Sequence, residues 1–540
     1  MRIQKNTFSD SKRRFFFYGL RGGILATAVL FIGTSILALP FPPVVIFQLL
    51  ISPVPGSIQS VVVETFLEYA KYTAFVVSAV IYAGIYGLLG ILVGFLFRRD
   101  LQTERNSALA ITTAIPSAIA LAFDALLTST SSGLASSTGW LISGVLIVAA
   151  NLVFAGDFVQ QVQSHMQVQQ MTKAGPTGLL SRRGFLKKAV VAAVVLIVAG
   201  FAVRVGLDIF SGQPVVSSGT VIPIDSPPTE TNPQDLPAVF SDARISNLVG
   251  SEVTDSRVFY RVDIDPIPPQ LNLGQWSLKI TGKVNNSVTL DKDGLMALPA
   301  KDEYATLECI SNTINPPAAL ISNAKWTGVS LAGLLNQAGL TSDAKYVVFH
   351  CADGYTVGIP LDRAIRPEAL LAYKMNDETL PNEHGFPLRT IVPGIYGMMN
   401  AKWITGIEVV DYAYLGYWQD RGWSNDARIN TTSLIYYPSP QAQVSDPIPI
   451  AGVAFAGDRG ISKVEVSVDG GRTWNLATLK APRSPYSWVL WAYAWTPTNK
   501  GSTTVTVRAY DGAGTVQNAL AEQSFPNGAS GLHSIQVTVT

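Results

Sequence analysis

The stretch Thr306-Leu307-Glu308-Cys309-Ile310-Ser311-Asn312 contains a cysteine, and the stretch Ile321-Ser322-Asn323-Ala324-Lys325-Trp326-Thr327-Gly328-Val329 follows it. Cys309 and Cys351 are the only cysteines in the sequence, so the chain cannot build a disulfide framework or a cysteine-rich zinc or iron–sulfur site. Taken alone, the two cysteines favour inert buried thiols or one disulfide in an exported domain. The chemistry of Cys309 therefore depends on the sequence around it.

The overall composition indicates several domains and a membrane segment. At about 150 residues per domain, a chain of 540 residues suggests three or four units. Hydrophobic residues make up 48% and charged residues only 14%, against about 25% charged in an ordinary soluble chain. The formal net charge of +1 gives no electrostatic footprint for nucleic acid, so that class of partner is excluded.

Apolar residues are concentrated before position 210. They form about five runs, each of a length suited to crossing a hydrocarbon core of about 30 Å as a helix. We therefore predict an all-α membrane bundle over residues 1–210. The five runs are Gly22–Pro40, Tyr72–Phe97, Ser107–Leu127, Trp140–Phe158 and Ala189–Leu207.

The distribution of basic residues predicts how this bundle is oriented. Lysines and arginines cluster before the first run, after the second and before the fifth, whereas Pro40–Val63 and Thr128–Thr138 carry no charge. Cytoplasmic loops retain basic residues, so the N-terminus is expected inside the cell and everything after the fifth run outside.

The fifth run begins with an export-like string, Ser181-Arg182-Arg183-Gly184-Phe185-Leu186-Lys187. It closely matches a twin-arginine signal, a route that carries folded, often cofactor-containing proteins. The alternative is that both arginines are ordinary positive-inside anchors. No small-residue cleavage site follows, which favours a retained anchor in the cell membrane.

Beyond the membrane segment, the pattern predicts a linker and two further domains. Residues 211–238 are rich in Pro, Ser and Thr and are expected to form an extended linker. Residues 239–430 mix strand-like stretches such as Trp276–Val284 and Tyr346–His350 with helical pieces such as Leu331–Ala338, which indicates an α+β domain. Residues 431–540 show only alternating segments and turns, which is typical of an all-β sandwich.

Several classes of enzyme and cofactor are excluded by missing motifs. The sequence contains no G-x-S-x-G elbow, no H-E-x-x-H, no Walker loop and no G-x-G-x-x-G after a strand. It also lacks C-x-x-C-H, and the five apolar runs contain no histidine, so we expect no haem. A redox reaction would therefore need a separate electron carrier.

Two long strings resemble a known family. TLECISN…ISNAKWTGVSL and the later LLAYKMNDETLPNEHGFPLRTIVPGIYGMMNAKWITGIEV are similar, in the same order, to the core of the sulfite oxidase family of molybdenum enzymes. The resemblance covers about Val239–Asn430. The string DRGISKVEVSVDGGRTW resembles the family's immunoglobulin-like dimerisation domain, which implies a possible homodimer. The membrane segment lies outside the resemblance.

The resemblance implies a molybdenum held by one molybdopterin, with the Cys309 thiolate as the protein ligand to the metal. Cys351 is then expected to be a core residue. Molybdopterin carries an anionic phosphate, so its pocket needs cationic donors. The residues that match the family's cofactor contacts are Asn323, Lys325, His384, Arg389 and Lys402. The alternatives are a solvated surface pair for Arg389 and Lys402 and an ordinary core histidine for His384.

For catalysis, the resemblance implies Tyr373 as a hydrogen-bond donor near the metal and Arg459 as a substrate-binding arginine. Relatives that oxidise sulfite carry another arginine five residues after the cysteine, and this chain has Ile314 there. Arg261 is a possible replacement or a surface residue. The segment Trp418–Trp423 is expected either to cover the pocket mouth or to serve in packing.

Together these features predict a membrane-anchored, externally facing oxidoreductase that transfers an oxygen atom at a cysteine-ligated molybdenum. Two alternatives remain. A reductase of S-oxides, like the family's methionine sulfoxide reductase branch, would explain Ile314, because its substrate is neutral. A non-catalytic membrane scaffold would require Cys309 to be idle.

Overall fold

The computed structural model describes residues 3–37, 58, 68–96, 112–114, 137–171, 236–264, 268–315, 317 and 320–540. The chain divides into two compact units. One contains nearly all of three long helices, and the other contains the described residues from 236 to 264 and from 271 onwards. We refer to them as the helical unit and the catalytic unit.

The helical unit contains three long helices, namely α1 (Ile3–Leu37), α2 (Glu68–Leu96) and α3 (Ser137–Met171). Each carries a segment long and apolar enough to cross a membrane: Lys12–Ile32, Val76–Gly94 and Leu146–Ser164. These match the first, second and fourth predicted runs, although the first span begins ten residues earlier than Gly22 because the helix also includes the polar N-terminal residues. The third run, apart from residues 112–114, and the fifth run lie outside the described residues.

Glycines on α1 allow the three helices to approach closely. A Cβ on Gly19 would lie 2.3 Å from the backbone oxygen of Tyr86 on α2, and one on Gly22 would lie 2.8 Å from the Phe154 ring on α3. Small residues at such contacts are typical of helix packing in membranes, where backbones must come close to gain van der Waals contact. The pattern of glycines therefore fixes which face of α1 meets its neighbours.

Polar side chains also join these helices within their apolar spans. Arg21 on α1 pairs with Asp157 on α3 at 3.2 Å. The Tyr86 hydroxyl on α2 donates to Asn151 Oδ1 on α3 at 2.9 Å. Ionisable groups are costly in a bilayer unless they are paired, so these contacts link the helices specifically.

The first part of the catalytic unit contains two mostly antiparallel sheets. The first has the order β2-β1-β10-β5-β6, and β1 and β10 pair in parallel. The second has the order β3-β4-β7-β8, with β9 also pairing with β7. Their strands are β1 (Ser277–Gly282), β2 (Val288–Asp291), β3 (Ala300–Glu308), β4 (Ile321–Ser330), β5 (Tyr346–Cys351), β6 (Thr356–Pro360), β7 (Leu370–Met375), β8 (Glu378–Thr379), β9 (Arg389–Ile391) and β10 (Ile404–Val410).

Short helices connect these strands: α4 (Ser246–Gly250), α5 (Lys292–Met296), α6 (Leu331–Ala338) and α7 (Leu361–Ala364). The α6 helix has the bounds predicted from the sequence. The Ser330 side chain accepts from the Gly333 N–H at 3.1 Å at its start, and Gly339 ends it with a φ of 73°. The region is β-rich, and α4 precedes β1 while α5, α6 and α7 each lie between two strands.

The C-terminal region is all β, as predicted. Its two sheets have the orders β11-β13-β17-β16 and β12-β19-β18-β14-β15. Apolar side chains from both sheets form one core, which includes Ile450, Val466, Trp491 and Val507. The strands are β11 (Thr432–Tyr437), β12 (Gln443–Val444), β13 (Ile448–Phe455), β14 (Ile461–Ser467), β15 (Asn475–Leu476), β16 (Thr478–Leu479), β17 (Val489–Trp495), β18 (Gly501–Asp511) and β19 (Ser534–Val539).

Candidate active site

Cys309 lies directly after β3, at the base of a pocket in the catalytic unit. Leu307 and Cys309 both line this pocket, because side chains two apart on a strand share one face. The pocket is lined by apolar and aromatic side chains together with a few charged and polar ones, as sites for small molecules and cofactors typically are. The cysteine side chain is therefore placed where a bound group could meet it.

The Cys309 sulfur is buried beside polar groups. Its Sγ lies 3.0 Å from Ser311 Oγ, and the residue is only 6% exposed. Burial raises the pKa of the Cys309 thiol, and the contact with Ser311 opposes that rise in part. Cys351 is also buried, and both cysteines are free, so the disulfide alternative does not describe this fold.

Two cationic side chains and a histidine line the same pocket: Arg389 on β9, Lys402 just before β10, and His384 in a short 3-10 turn. Gly385, with a φ of 115°, brings them together. A Cβ there would lie 3.0 Å from Lys402 Cβ and 3.1 Å from Arg389 Cβ. Only a glycine permits this close approach in that conformation.

Arg389 is buried with donors that are only partly used. Its Nη1 donates to the His384 carbonyl at 3.0 Å, and its guanidinium lies 4.8 Å from the centre of the Trp326 ring. Its Nε is buried and has no hydrogen-bond partner within the described part of the chain. Burial lowers the pKa of Arg389 to about 10, so the group stays cationic at neutral pH. A buried cation with an unused donor is suited to an anionic ligand.

Lys402 is partly buried and paired. Its Nζ donates to Asp263 Oδ1 and, at 3.3 Å, to the Glu383 carbonyl. Burial lowers the pKa of Lys402, while Asp263 opposes that change. The charge of this lysine is therefore largely balanced within the protein.

His384 is a neutral donor in this environment. Its Nε2 lies 2.6 Å from the Ser256 carbonyl, an acceptor, so Nε2 carries the proton. Burial, with a smaller contribution from Arg389 and Lys402, lowers the pKa of His384 to about 3. The imidazole therefore adds no positive charge to the pocket at neutral pH.

The structure adds acidic and aromatic residues that the sequence analysis did not assign to the site. Asp263 and Asp353 line the pocket, and burial raises the pKa of Asp353 to about 7. Tyr355 also lines it and donates to the Met398 carbonyl at 2.6 Å. Asp353 follows β5 in the string FHCADGY. This polar turn directly after a strand is the sequence feature that could have indicated Asp353 as a site residue.

Comparison with known proteins identifies the family of this chain. Residues 265–418 match the model of the oxidoreductase molybdopterin binding domain, and residues 424–525 match the Mo-co oxidoreductase dimerisation domain. The sulfite oxidase of Arabidopsis thaliana is 30% identical over 331 residues, which cover 50% of this chain and 84% of that protein. The chain belongs to the sulfite oxidase family. It is thus an oxidoreductase whose cofactor is molybdenum bound by molybdopterin.

Other relatives overlap this chain only in part. Mitochondrial sulfite oxidase of Drosophila melanogaster is 33% identical over 44% of this chain and 50% of its own length. The chain therefore spans about half the length of that relative. The sulfane dehydrogenase SoxCD of Paracoccus pantotrophus is similar in structure with a TM-score of 0.48 and 23% identity, over 53% of this chain and 81% of that one. Membership of an enzyme family removes the support for a non-catalytic scaffold.

The pocket fits the family's cofactor. An anionic phosphate and a polar pterin require cationic and N–H donors, and the unpartnered Nε of buried Arg389 is such a donor. Soft sulfur suits molybdenum, and the Cys309 sulfur faces the same space. Lys402 and His384, which were also assigned from the family resemblance, line the same pocket.

Two of the residues assigned to the cofactor lie elsewhere. Asn323 is buried within the fold, where its Oδ1 accepts from Thr306 Oγ1 at 3.0 Å and its Nδ2 donates to the Glu252 carbonyl at 2.8 Å. Lys325 bridges Asp302 and Asp377 at 3.1 and 2.6 Å. Neither residue lines the pocket, because its side-chain donors are already used by neighbouring strands and turns.

The two assigned catalytic residues also lie outside the pocket lining. Tyr373 is on β7 and packs against the main core of the catalytic unit. Arg459 donates to Asp511 Oδ2, the Ile429 carbonyl and Thr431 Oγ1, each at 3.1 Å. These contacts hold the arginine within the C-terminal region.

The residues considered for sulfite binding do not line the pocket, whereas the tryptophans considered for covering its mouth do. Ile314 is buried, at 5% exposed, and is not among the residues lining the pocket. Arg261 does not line it either, although Tyr260 and Val262 do. Trp418 and Trp423 both line the pocket, and Trp423 also packs against Phe525 with ring centres 5.1 Å apart. The tryptophans thus serve in lining and in packing.

Proposed function

We propose that Cys309 supplies the protein ligand to the molybdenum and that the enzyme transfers an oxygen atom between water and a small sulfur compound. The proposal rests chiefly on one observation, which is that the Cys309 sulfur shares a pocket with the buried, incompletely bonded Arg389. In this assignment Arg389 and Lys402 bind the anionic cofactor. His384 gives its Nε2–H to the Ser256 carbonyl, so its Nδ1 orients the cofactor as an acceptor for a pterin N–H. When bound, the molybdenum supplies two-electron oxygen-atom chemistry.

The chain's own residues have distinct parts in this reaction. The Lys402–Asp263 pair provides a fixed dipole without adding net charge, and Arg389 provides the positive charge that an anionic phosphate requires. Trp418 and Trp423 exclude water from one side of the pocket. Substrate access is thus restricted to a small molecule.

Paired cysteine variants test the ligand assignment. Cys309→Ser should abolish most turnover and change the Mo(V) electron paramagnetic resonance spectrum, while the pterin is retained through its phosphate contacts. Cys351→Ser is the matched control, since this buried thiol belongs to the core. Full activity with an unchanged spectrum in Cys309→Ser would reject the assignment.

A second candidate reaction is the reduction of neutral S-oxides. Ile314 stands where sulfite-oxidising relatives carry an arginine, and its burial leaves no room for a charged side chain without loss of stability. We therefore expect a low kcat/KM for sulfite and efficient reduction of dialkyl S-oxides with a dye as electron donor. Efficient oxidation of sulfite with no S-oxide reduction would exclude this candidate.

We further propose that the enzyme is anchored in the cell membrane, with the catalytic unit on the external face and residues 431–540 forming an immunoglobulin-like dimerisation domain. Three membrane-length helices, the basic clusters and the Ser181–Lys187 string support the anchoring and orientation.

The match to a dimerisation domain supports a homodimer. A separate electron carrier would complete the reaction. Protease accessibility in oriented vesicles and the mass of the detergent-purified particle test these points.

A further inference from the structure

The turn that carries Cys309 is closed by backbone hydrogen bonds at both ends. Glu308 and Ile321 are the last register pair of β3 and β4. Beyond it, the Cys309 N–H donates to the Leu320 carbonyl, and the Asn312 N–H donates to the Cys309 carbonyl, each at 2.9 Å. The position of the cysteine sulfur therefore depends on this short turn.

A side-chain bridge crosses the base of the same turn. Asn312 Nδ2 donates to Glu308 Oε1 at 2.9 Å, and Asn312 Oδ1 accepts from the Leu320 N–H at 3.0 Å. The amide of Asn312 thus uses both of its ends. It ties the end of β3 to the residue just before β4.

Glu308 acts from outside the pocket. Leu307 and Cys309 line the pocket, whereas Glu308 does not, because adjacent residues of a strand face opposite sides. Glu308 is 3% exposed, and its Oε2 has no hydrogen-bond partner among the residues that the structure describes. A buried, incompletely bonded carboxyl lowers stability. Its presence at this place is therefore better explained by the turn that it holds.

We propose that Glu308 is a positioning residue that, through Asn312, fixes the Cys309–Asn312 turn and so directs the Cys309 sulfur towards the metal. The inference rests on the proposed role of Cys309 as the molybdenum ligand. Partners that orient a metal ligand typically contribute about 10–100-fold to metal affinity or activity. We expect an effect of that size here.

An isosteric exchange of the two partners tests this role in the holoenzyme. Asn312→Leu removes both ends of the amide with little change of volume, so it breaks the bridge. It should lower kcat about 10–100-fold and shift the Mo(V) spectrum. In the double variant Glu308→Gln with Asn312→Asp, the glutamine amide donates to the new carboxylate, so the bridge is rebuilt in the opposite direction. This variant should keep the wild-type spectrum and should not show the loss of kcat expected for Asn312→Leu.

Glu308→Gln alone keeps an acceptor for Asn312 and should retain the wild-type spectrum, which guards against a general loss of folding. A wild-type spectrum and kcat in Asn312→Leu would overturn the inference, as would loss of either in the double variant. Cys309→Ser separates the two proposals. If it changes the spectrum and Asn312→Leu does not, only the positioning role fails. If Cys309→Ser leaves the spectrum unchanged, the ligand assignment itself fails.

Discussion

Arg389→Met should weaken cofactor binding while leaving the stability of the cofactor-free protein nearly unchanged. In the free protein, the substitution removes one hydrogen bond to the His384 carbonyl and one contact with the Trp326 ring. Together these contribute about 1–3 kcal/mol. It also removes a buried donor without a partner, Nε, whose burial costs about 1–3 kcal/mol. The two changes oppose each other and leave a small net difference.

In the cofactor-bound protein, Arg389→Met should lose binding free energy that nothing offsets. Each charge-assisted contact between Arg389 and an anionic ligand contributes about 1.5–3 kcal/mol, which is roughly tenfold to hundredfold in affinity. Methionine supplies neither the charge nor the donor. The cofactor should therefore dissociate at least about ten times more readily from the variant.

Arg363→Met is the matched control. Arg363 is a mostly buried arginine that pairs with Asp458 at 2.9 Å and does not line the pocket. Its loss should lower the melting temperature without changing cofactor affinity. Pterin and molybdenum content after dialysis, with the melting temperature of the cofactor-free protein, measure both effects. If Arg389→Met retains the cofactor like wild type, Arg389 does not bind the phosphate.

Three further outcomes are expected. Burial raises the pKa of Asp353 to about 7, so its contribution to stability is greatest below the unfolded value of about 3.9 and is lost as pH rises to 7. In urea unfolding of the cofactor-free protein, the free energy of unfolding of Asp353→Asn should rise relative to that of wild type by at most about 1.4 kcal/mol per pH unit in that window. A difference between the two free energies that does not change with pH would contradict this. Replacing Arg182 and Arg183 with lysine keeps the charge but should block export, measured by protease accessibility; normal export would favour simple anchoring. Arg21→Leu should lower the melting temperature in detergent more than Arg21→Leu with Asp157→Leu, because it leaves a carboxyl uncompensated; equal losses would show that the pair is not coupled.

Much of the fold was predictable because its signals are local. The helix over Leu331–Ala338 carries its own cap at Ser330 and its own stop at Gly339, and the alternating segments after residue 431 form strands. The parallel pairing of β1 with β10 was not predictable. It joins residues more than 120 positions apart, Lys279 and Gly406 among them, and no local pattern specifies such a pairing.

The site was predictable where the sequence and its resemblance place chemistry at fixed turns. Cys309, His384, Arg389 and Lys402 come together in one pocket. Lys325 does not join them, because Asp302 and Asp377 hold its ammonium elsewhere. The partners that decide such an outcome are remote in sequence. Asp263, which pairs with Lys402, precedes it by 139 positions.

The charges of the pocket also bear on the substrate. Among the described residues that line it, the cationic side chains are Arg389 and Lys402. Asp263 balances Lys402, and the low pKa of His384 keeps that residue neutral. If the cofactor phosphate takes Arg389, no unbalanced cation of this lining is left for a dianion such as sulfite. A neutral substrate needs none, so the electrostatics of the lining agree better with the proposed S-oxide substrate than with sulfite.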